Sequence, residues 1–152
     1  MTLPLNLAIN TVAVIGAGTM GIGIAQVAAS AGLRVLLFDV NQEVLRHSLT
    51  EMTQRLNKRV EQGKAQAVAT KELLNCISVA QSLPELSEAQ LVIEAVAEKL
   101  EVKQTIFSEL EGICNEKTIF ASNTSSLSIT AIGRQLTHPE RLAGLHFLIL
   151  LP

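Results

Sequence analysis

Residues 11 to 39 form one continuous device that few folds accommodate. An apolar run, Thr11-Val-Ala-Val-Ile15, leads straight into the turn Gly16-Ala17-Gly18-Thr19-Met20-Gly21. A small-residue stretch follows to Ala31, then a second apolar run, Arg34-Val-Leu-Leu-Phe38, closed by Asp39. The pattern predicts a strand, a helix over Gly21 to Ala31 and a second parallel strand, which together make one βαβ half of a dinucleotide-binding sheet.

Each spacing has a chemical reason. Gly16 permits the tight strand-to-helix turn, Gly18 lets backbone approach a pyrophosphate with no Cβ in the way, and Gly21 lets the helix lie close on the sheet. The N–H groups opening that helix face the phosphates, where the macrodipole favours negative charge. Asp39 ends the second strand, where its carboxylate can accept hydrogen bonds from both ribose hydroxyls and would repel a 2′-phosphate. The expected cofactor is therefore NAD rather than NADP. A Gly-x-Gly-x-x-Gly string alone is weak evidence in a chain with nine glycines. Its weight comes from the strand before it, the helix after it and the acid at the expected distance.

With 152 residues, the chain is one domain long. Its 48% hydrophobic content, rich in Ala, Val, Ile and Leu, suits a sheet covered by helices on both faces. A net charge of −2 gives no basic excess for nucleic acid or anionic lipid, so neither nucleic acid nor membrane is expected as a partner. Residues 1 to 33 carry no charged side chain, which invites a membrane-helix reading, but Gly-Ala-Gly, Gln26 and Ser30 interrupt them and no basic segment precedes them. The chain reads as cytoplasmic. Cys76 and Cys114 lack metal-ligand spacing and read as small core hydrophobes without a disulfide; no metal site is expected.

Beyond Asp39, the apolar residues Val44, Leu45, Leu49, Met52, Leu56 and Val60 recur at helical spacing, with Asn41 as N-cap and Gly63 as the stop. Arg55, Lys58, Arg59 and nearby Lys64 mark a solvated face, or alternatively a landing strip for an anionic substrate handle. A short helix is expected near Lys71 to Leu74 and a strand over Cys76 to Val79. A loop around Pro84, a strand from Leu91 to Ala97 and a helix from Leu100 to Ile113 come next. A strand over Lys117 to Ala121, the turn Ser122 to Ser126, a helix near Ser128 to Gln135 and a strand from Leu142 to Phe147 complete the chain. Strands alternating with helices predict an α/β fold, a Rossmann doubly wound, mostly parallel sheet forming one domain over residues 1–152.

Ligands of such sheets lie beyond the carboxyl ends of the strands. Those ends carry the glycine turn, Asp39, Glu94 to Glu98, Ser122 to Ser126 and His146. A lone His closing an apolar strand is often a core residue, but beside a nicotinamide an imidazole can take an alcohol proton as hydride leaves carbon. Ser125 can donate to the same oxygen, although turns are rich in Ser and Asn regardless. Glu98 is either a dipole partner for the following helix or a neighbour of the nicotinamide. His47 and His138 are expected to face solvent.

Four ordered motifs carry a resemblance. Val12-Ala-Val-Ile-Gly-Ala-Gly-Thr-Met-Gly21, Leu91-Val-Ile-Glu-Ala-Val-Ala-Glu98-Lys-Leu-Glu-Val-Lys103, Ala121-Ser-Asn-Thr-Ser-Ser126 and Ala143-Gly-Leu-His-Phe147 resemble the NAD-binding domain of the 3-hydroxyacyl-CoA dehydrogenases over residues 11 to 147. The bacterial 3-hydroxybutyryl-CoA and 3-hydroxyadipyl-CoA branches are the most alike. The resemblance implies NAD-dependent oxidation of a (3S)-3-hydroxyacyl-CoA to the 3-oxoacyl-CoA, in fatty-acid or aromatic-acid catabolism. It also implies His146 as general base, Ser125 hydrogen-bonded to the 3-hydroxyl, Glu98 and Lys103 along the nicotinamide and substrate path, and Asn123 shaping the turn. Arg55, Lys58 and Lys64 fall in the stretch that meets coenzyme A in this family, and a full-length parent is implied to be a homodimer.

The ending departs from the family. Members continue with Phe-Phe-Asn-Pro and a Glu that pairs with the His, whereas this chain reads His146-Phe-Leu-Ile-Leu-Leu-Pro152. Loss of one T from a codon run such as CAT TTT TTT AAT CCT GCT CCC produces that ending, so a frameshifted or truncated product of a longer two-domain gene is expected, one that binds NAD but turns over poorly. The alternatives are a non-catalytic NAD-binding regulatory module, its apolar tail docked on a partner, and a Rossmann oxidoreductase acting on a 3-hydroxy acid without coenzyme A.

Overall fold

A computed structural model describes residues 8 to 148; positions 149–152, which hold most of the unusual ending, lie outside the described residues. The element order is β1 (Thr11–Ile15), α1 (Thr19–Ser30), β2 (Arg34–Phe38), α2 (Gln42–Glu61), α3 (Ala67–Asn75), β3 (Ile77–Val79), β4 (Leu91–Glu94), α4 (Leu100–Ile113), β5 (Ile119–Ser122), α5 (Ile129–Ile132) and β6 (Leu142–Gly144). The described strands form one sheet in the order β3-β2-β1-β4-β5-β6, and every pairing is parallel. The chain thus winds outward in one direction from β1, returns, and winds outward in the other, as a Rossmann sheet does.

Alternation along the strands divides the core between the two faces. Val12, Val14, Val35 and Leu37 pack under α1 and α2 with Ile24, Leu45, Met52 and Leu56. Ala13, Ile15, Leu36, Phe38, Val92 and Phe120 pack on the other face against Phe107 and Leu110 of α4. Burial on both sides explains why these strands are uninterrupted apolar runs rather than alternating ones.

The sequence expectations hold for the sheet and for the long helices and shift at several ends. The Asn41 side chain caps α2 by accepting from the N–H of Glu43 and Val44 at 3.1 and 3.2 Å. The short helix expected near Lys71 to Leu74 is longer, Ala67–Asn75, because its first turn is built of small residues that carry no hydrophobic period. The loop around Pro84 contains a 3-10 turn, Leu83–Leu86, with the proline in its first turn. β4 ends at Glu94 rather than Ala97: the Glu94 carboxylate accepts the Val96 N–H at 2.8 Å and turns the chain off the ladder. α5 covers only Ile129–Ile132 and continues as a 3-10 turn over Gly133–Gln135. β6 stops at Gly144, so His146 lies past the strand and is exposed rather than closing it.

Both cysteines are free, with Cys114 buried beneath the 3-10 turn at Leu86 and its thiol pushed up by that burial. His47 and His138 are both exposed. Among the described residues no helix is long and apolar enough to cross a membrane.

Candidate functional site

The site is built where β1, β4 and β5 end. Gly16 takes φ +99°, a conformation that a side chain strains, and a Cβ there would sit 2.5 Å from the carbonyl O of Ala95. A Cβ on Gly21 would fall far inside contact with the carbonyl O of Gly16, so only glycine lets α1 start directly on top of the turn. Gly18 is different: it is exposed, and nothing stands within 4 Å of where its Cβ would be. It is also the N-cap of α1 and supplies no side-chain cap, which leaves the helix's opening N–H groups facing open space. Bare donors, a positive dipole end and room where a Cβ would stand fit a pyrophosphate. Thr19 begins α1 exposed, Ala17 is fully buried, and Met20 is half-buried.

Asp39 closes the turn from the side. Its Oδ2 accepts the Ala17 N–H at 2.8 Å and its Oδ1 accepts the Asn41 N–H at 2.8 Å. A carboxylate has about four acceptor positions, so two remain for ribose hydroxyls. It lines a cleft of 710 Å³ with Val40, Val44, Val102 and Ile106, a size and apolar character suited to an adenosine. The charged residues lining this cleft are all acidic, Asp39, Glu101 and Glu109, which disfavours a 2′-phosphate there.

A second cavity of 390 Å³ adjoins the first, the two sharing Ala95 and Val96. Its wall brings together Met20, Glu98, Lys103, Asn123, Ser125 and His146, five of them from three separate stretches of the latter half of the chain. Asn123 does more than shape its turn: its Oδ1 accepts the Phe147 N–H at 2.8 Å, while Ser122 O accepts the Leu145 N–H at 2.9 Å, so the His146 segment is held from both sides. Thr124 donates its hydroxyl to Glu98 Oε1 and accepts from the Leu127 N–H, which ties the serine turn to the loop after β4. Ser125 and His146 are exposed on this wall. Lys103, by contrast, is buried to 1% with its Nζ 2.5 Å from the equally buried Glu94.

The basic residues of α2 stand apart. Arg55 donates to Gln26 Oε1 of α1 at 2.8 Å, and Arg55, Lys58 and Lys64 line neither cavity. A helix rises 1.5 Å per residue, so Arg55 lies roughly 20 Å along α2 from the cap at Asn41. Glu94 and Ser122, which the sequence placed at the strand ends, are both fully buried, and Val44, counted in the helical apolar period of α2, is exposed on the first cleft. Among the described residues no group of three His, Cys, Asp or Glu is arranged to hold a metal.

Residues 11–149 match the family described as 3-hydroxyacyl-CoA dehydrogenase, NAD binding domain. The chain belongs to that family. It is 48% identical over 139 residues to a 3-hydroxyadipyl-CoA dehydrogenase of Escherichia coli (strain K12), covering 91% of this chain and 29% of the relative. It is 44% identical over 140 residues to a probable 3-hydroxybutyryl-CoA dehydrogenase of Bacillus subtilis (strain 168), covering 92% and 49%. Among solved structures, a 3-hydroxybutyryl-CoA dehydrogenase from Escherichia coli K12 superposes with a TM-score of 0.90 at 48% identity, over 93% of this chain and 30% of that one. The chain therefore spans less than half the length of these relatives. The matched family domain is an NAD-binding domain.

Proposed function

We propose that this chain is the dinucleotide half of an enzyme that oxidises (3S)-3-hydroxyacyl-CoA to 3-oxoacyl-CoA reversibly, in fatty-acid or aromatic-acid catabolism. The observation that carries the reading is the second cavity, whose wall holds His146, Ser125 and Asn123 beside Glu98 and Lys103 and which shares Ala95 and Val96 with the first cleft. Bound NAD supplies the hydride acceptor for C3. The His146 imidazole takes the 3-hydroxyl proton as general base, and the Ser125 hydroxyl hydrogen-bonds the same oxygen. Asn123 fixes the backbone that carries the imidazole. Glu98 and Lys103 border the nicotinamide half. Asp39 takes the adenosine ribose hydroxyls and selects NAD over NADP.

Arg55, Lys58 and Lys64 meet the phosphate end of coenzyme A, which is long enough to leave the cavity and reach along α2. The working protein is cytoplasmic and, in its full-length form, a homodimer. Titration of the chain with NAD and then with acetoacetyl-CoA tests the reading: the ester binds the NAD-loaded chain, and a chain that takes NAD alone loses the substrate assignment. In an active full-length parent, with turnover of 3-hydroxybutyryl-CoA followed by NADH absorbance, His146→Gln abolishes turnover and leaves NAD affinity nearly intact. Retained turnover removes His146 from its role.

A further inference from the structure

Glu94 is the last residue of an apolar strand and is 0% exposed. A bare carboxylate in that position is strongly disfavoured, so its acceptor positions have to be filled. Three donors meet them. Lys103 Nζ comes down from α4 to Oε1 at 2.5 Å, the Val96 N–H reaches the same oxygen at 2.8 Å, and the Ser122 hydroxyl at the end of β5 donates to Oε2 at 2.6 Å. Neither Glu94 nor Ser122 lines the second cavity, but Lys103 does.

A role in docking α4 alone does not account for this arrangement. Phe107 and Leu110 already bury the same helix in the core, and an apolar pair of similar volume commonly replaces a buried ion pair without loss of stability. An ammonium has three donors and Glu94 accepts one of them, while Glu98 Oε1 stands 3.9 Å away, beyond hydrogen-bond reach. Donors thus remain for whatever occupies the cavity.

We infer that Glu94 is a positioning residue, held in rotation by Ser122, that fixes the Lys103 ammonium at the cavity floor against the nicotinamide half of the cofactor. The inference rests on reading that cavity as the nicotinamide site. With Glu94 neutral, Glu98 becomes the nearest counter-charge and draws the ammonium toward the exposed rim, so the donor is misplaced.

Calorimetric titration of the 152-residue chain with NAD and with ADP-ribose, which lacks the nicotinamide, tests this. Glu94→Gln is expected to weaken NAD about tenfold, the scale of one charge-assisted hydrogen bond, and to leave ADP-ribose within about twofold. Equal weakening of both ligands reduces Glu94 to a scaffold residue, and unchanged NAD affinity removes the role; either overturns the proposal. Should circular dichroism show Glu94→Gln unfolded, Ser122→Ala, which deletes only the Oε2 donor, carries the same comparison with the same two overturning results. A wild-type chain that binds neither ligand overturns the dinucleotide reading itself.

Discussion

The N–H of Ala17 donates to Asp39 Oδ2 at 2.8 Å, so the acid that ends the second strand also braces the glycine turn that ends the first. Ala17 is fully buried, and its N–H has no water to turn to when that acceptor is lost. Asp39 thus holds the turn, and under the proposed function it has a second, separable role in recognising the ribose.

Asp39→Ala separates them. Leaving a buried N–H unsatisfied costs about 1–3 kcal/mol, which thermal unfolding reports whatever ligand is present. The ribose contribution appears as a further loss specific to NAD: NAD affinity falls well over tenfold, while the weak NADP affinity falls less because a repulsive charge has also been removed. Equal losses for the two cofactors in parallel titrations would leave Asp39 with the bracing role alone.

Gly18→Ala and Gly21→Ala should fail in opposite ways. At Gly18 the backbone is extended, with φ −67° and ψ −173°, and the space beside it is open, so alanine folds normally and stability holds or rises by a few tenths of a kcal/mol. Its methyl nonetheless occupies the pyrophosphate's approach, and NAD affinity drops at an unchanged melting temperature. At Gly21 the methyl meets the Gly16 carbonyl, α1 has to lift off the turn, and a stability loss of about 2 kcal/mol or more accompanies the loss of binding. Melting curves and NAD titrations on the same samples check both, and a Gly21→Ala protein with wild-type stability would refute the close-approach argument.

Local constraints explain why so much of this half was legible in the sequence. Each part of Thr11 to Asp39 is dictated by its neighbours in the chain: apolar runs for a twice-covered sheet, glycine where φ is positive or a carbonyl is close, an acid at a strand end. Asn41 announced α2 in the same way. The Lys103–Glu94–Ser122 network was not legible as a network, since its members come from three elements that only the strand order β1-β4-β5 brings together. It left one trace: Lys103, Phe107 and Leu110 recur at the spacing of a single helix face, which puts a lysine on the buried stripe of α4. The ends of β4 and β6 were overestimated because apolar residues run on past the last ladder bond, and a carboxylate bonding to backbone, as Glu94 does at Val96, leaves no periodic signal.

That buried lysine makes a stability prediction distinct from its role in the cavity. Lys103→Met strands the Glu94 carboxylate without a counter-charge and should cost about 3–5 kcal/mol, lowering the melting temperature by roughly 10 °C or more. The double variant Glu94→Gln/Lys103→Met removes both charges and should recover most of that loss, since the amide oxygen can accept the Val96 N–H and the amide NH2 can donate to the Ser122 hydroxyl. Additive single and double effects in a mutant cycle would show the two groups to be energetically independent despite their 2.5 Å contact.

Acid should loosen the approach to His146 through a residue far from the cavity. Glu111, in the last turn of α4, accepts the N–H of Thr137 and of His138 at 2.8 Å each and so ties down the strap that leads into β6. Burial works to raise its pKa, but the N–H donors of Thr137 and His138, the Thr137 hydroxyl and the charge of His138 outweigh it and hold the carboxyl below its ordinary value. A carboxylate lowered in the folded state contributes stability that is present above its unfolded value and lost as pH falls through the folded one. Glu111→Gln cannot titrate, so the melting temperatures of wild type and variant should differ near neutrality and converge as pH drops below the ordinary carboxylate range. A gap that stays constant down to the lowest pH at which both proteins fold would mean that the Glu111 charge contributes nothing to holding the strap.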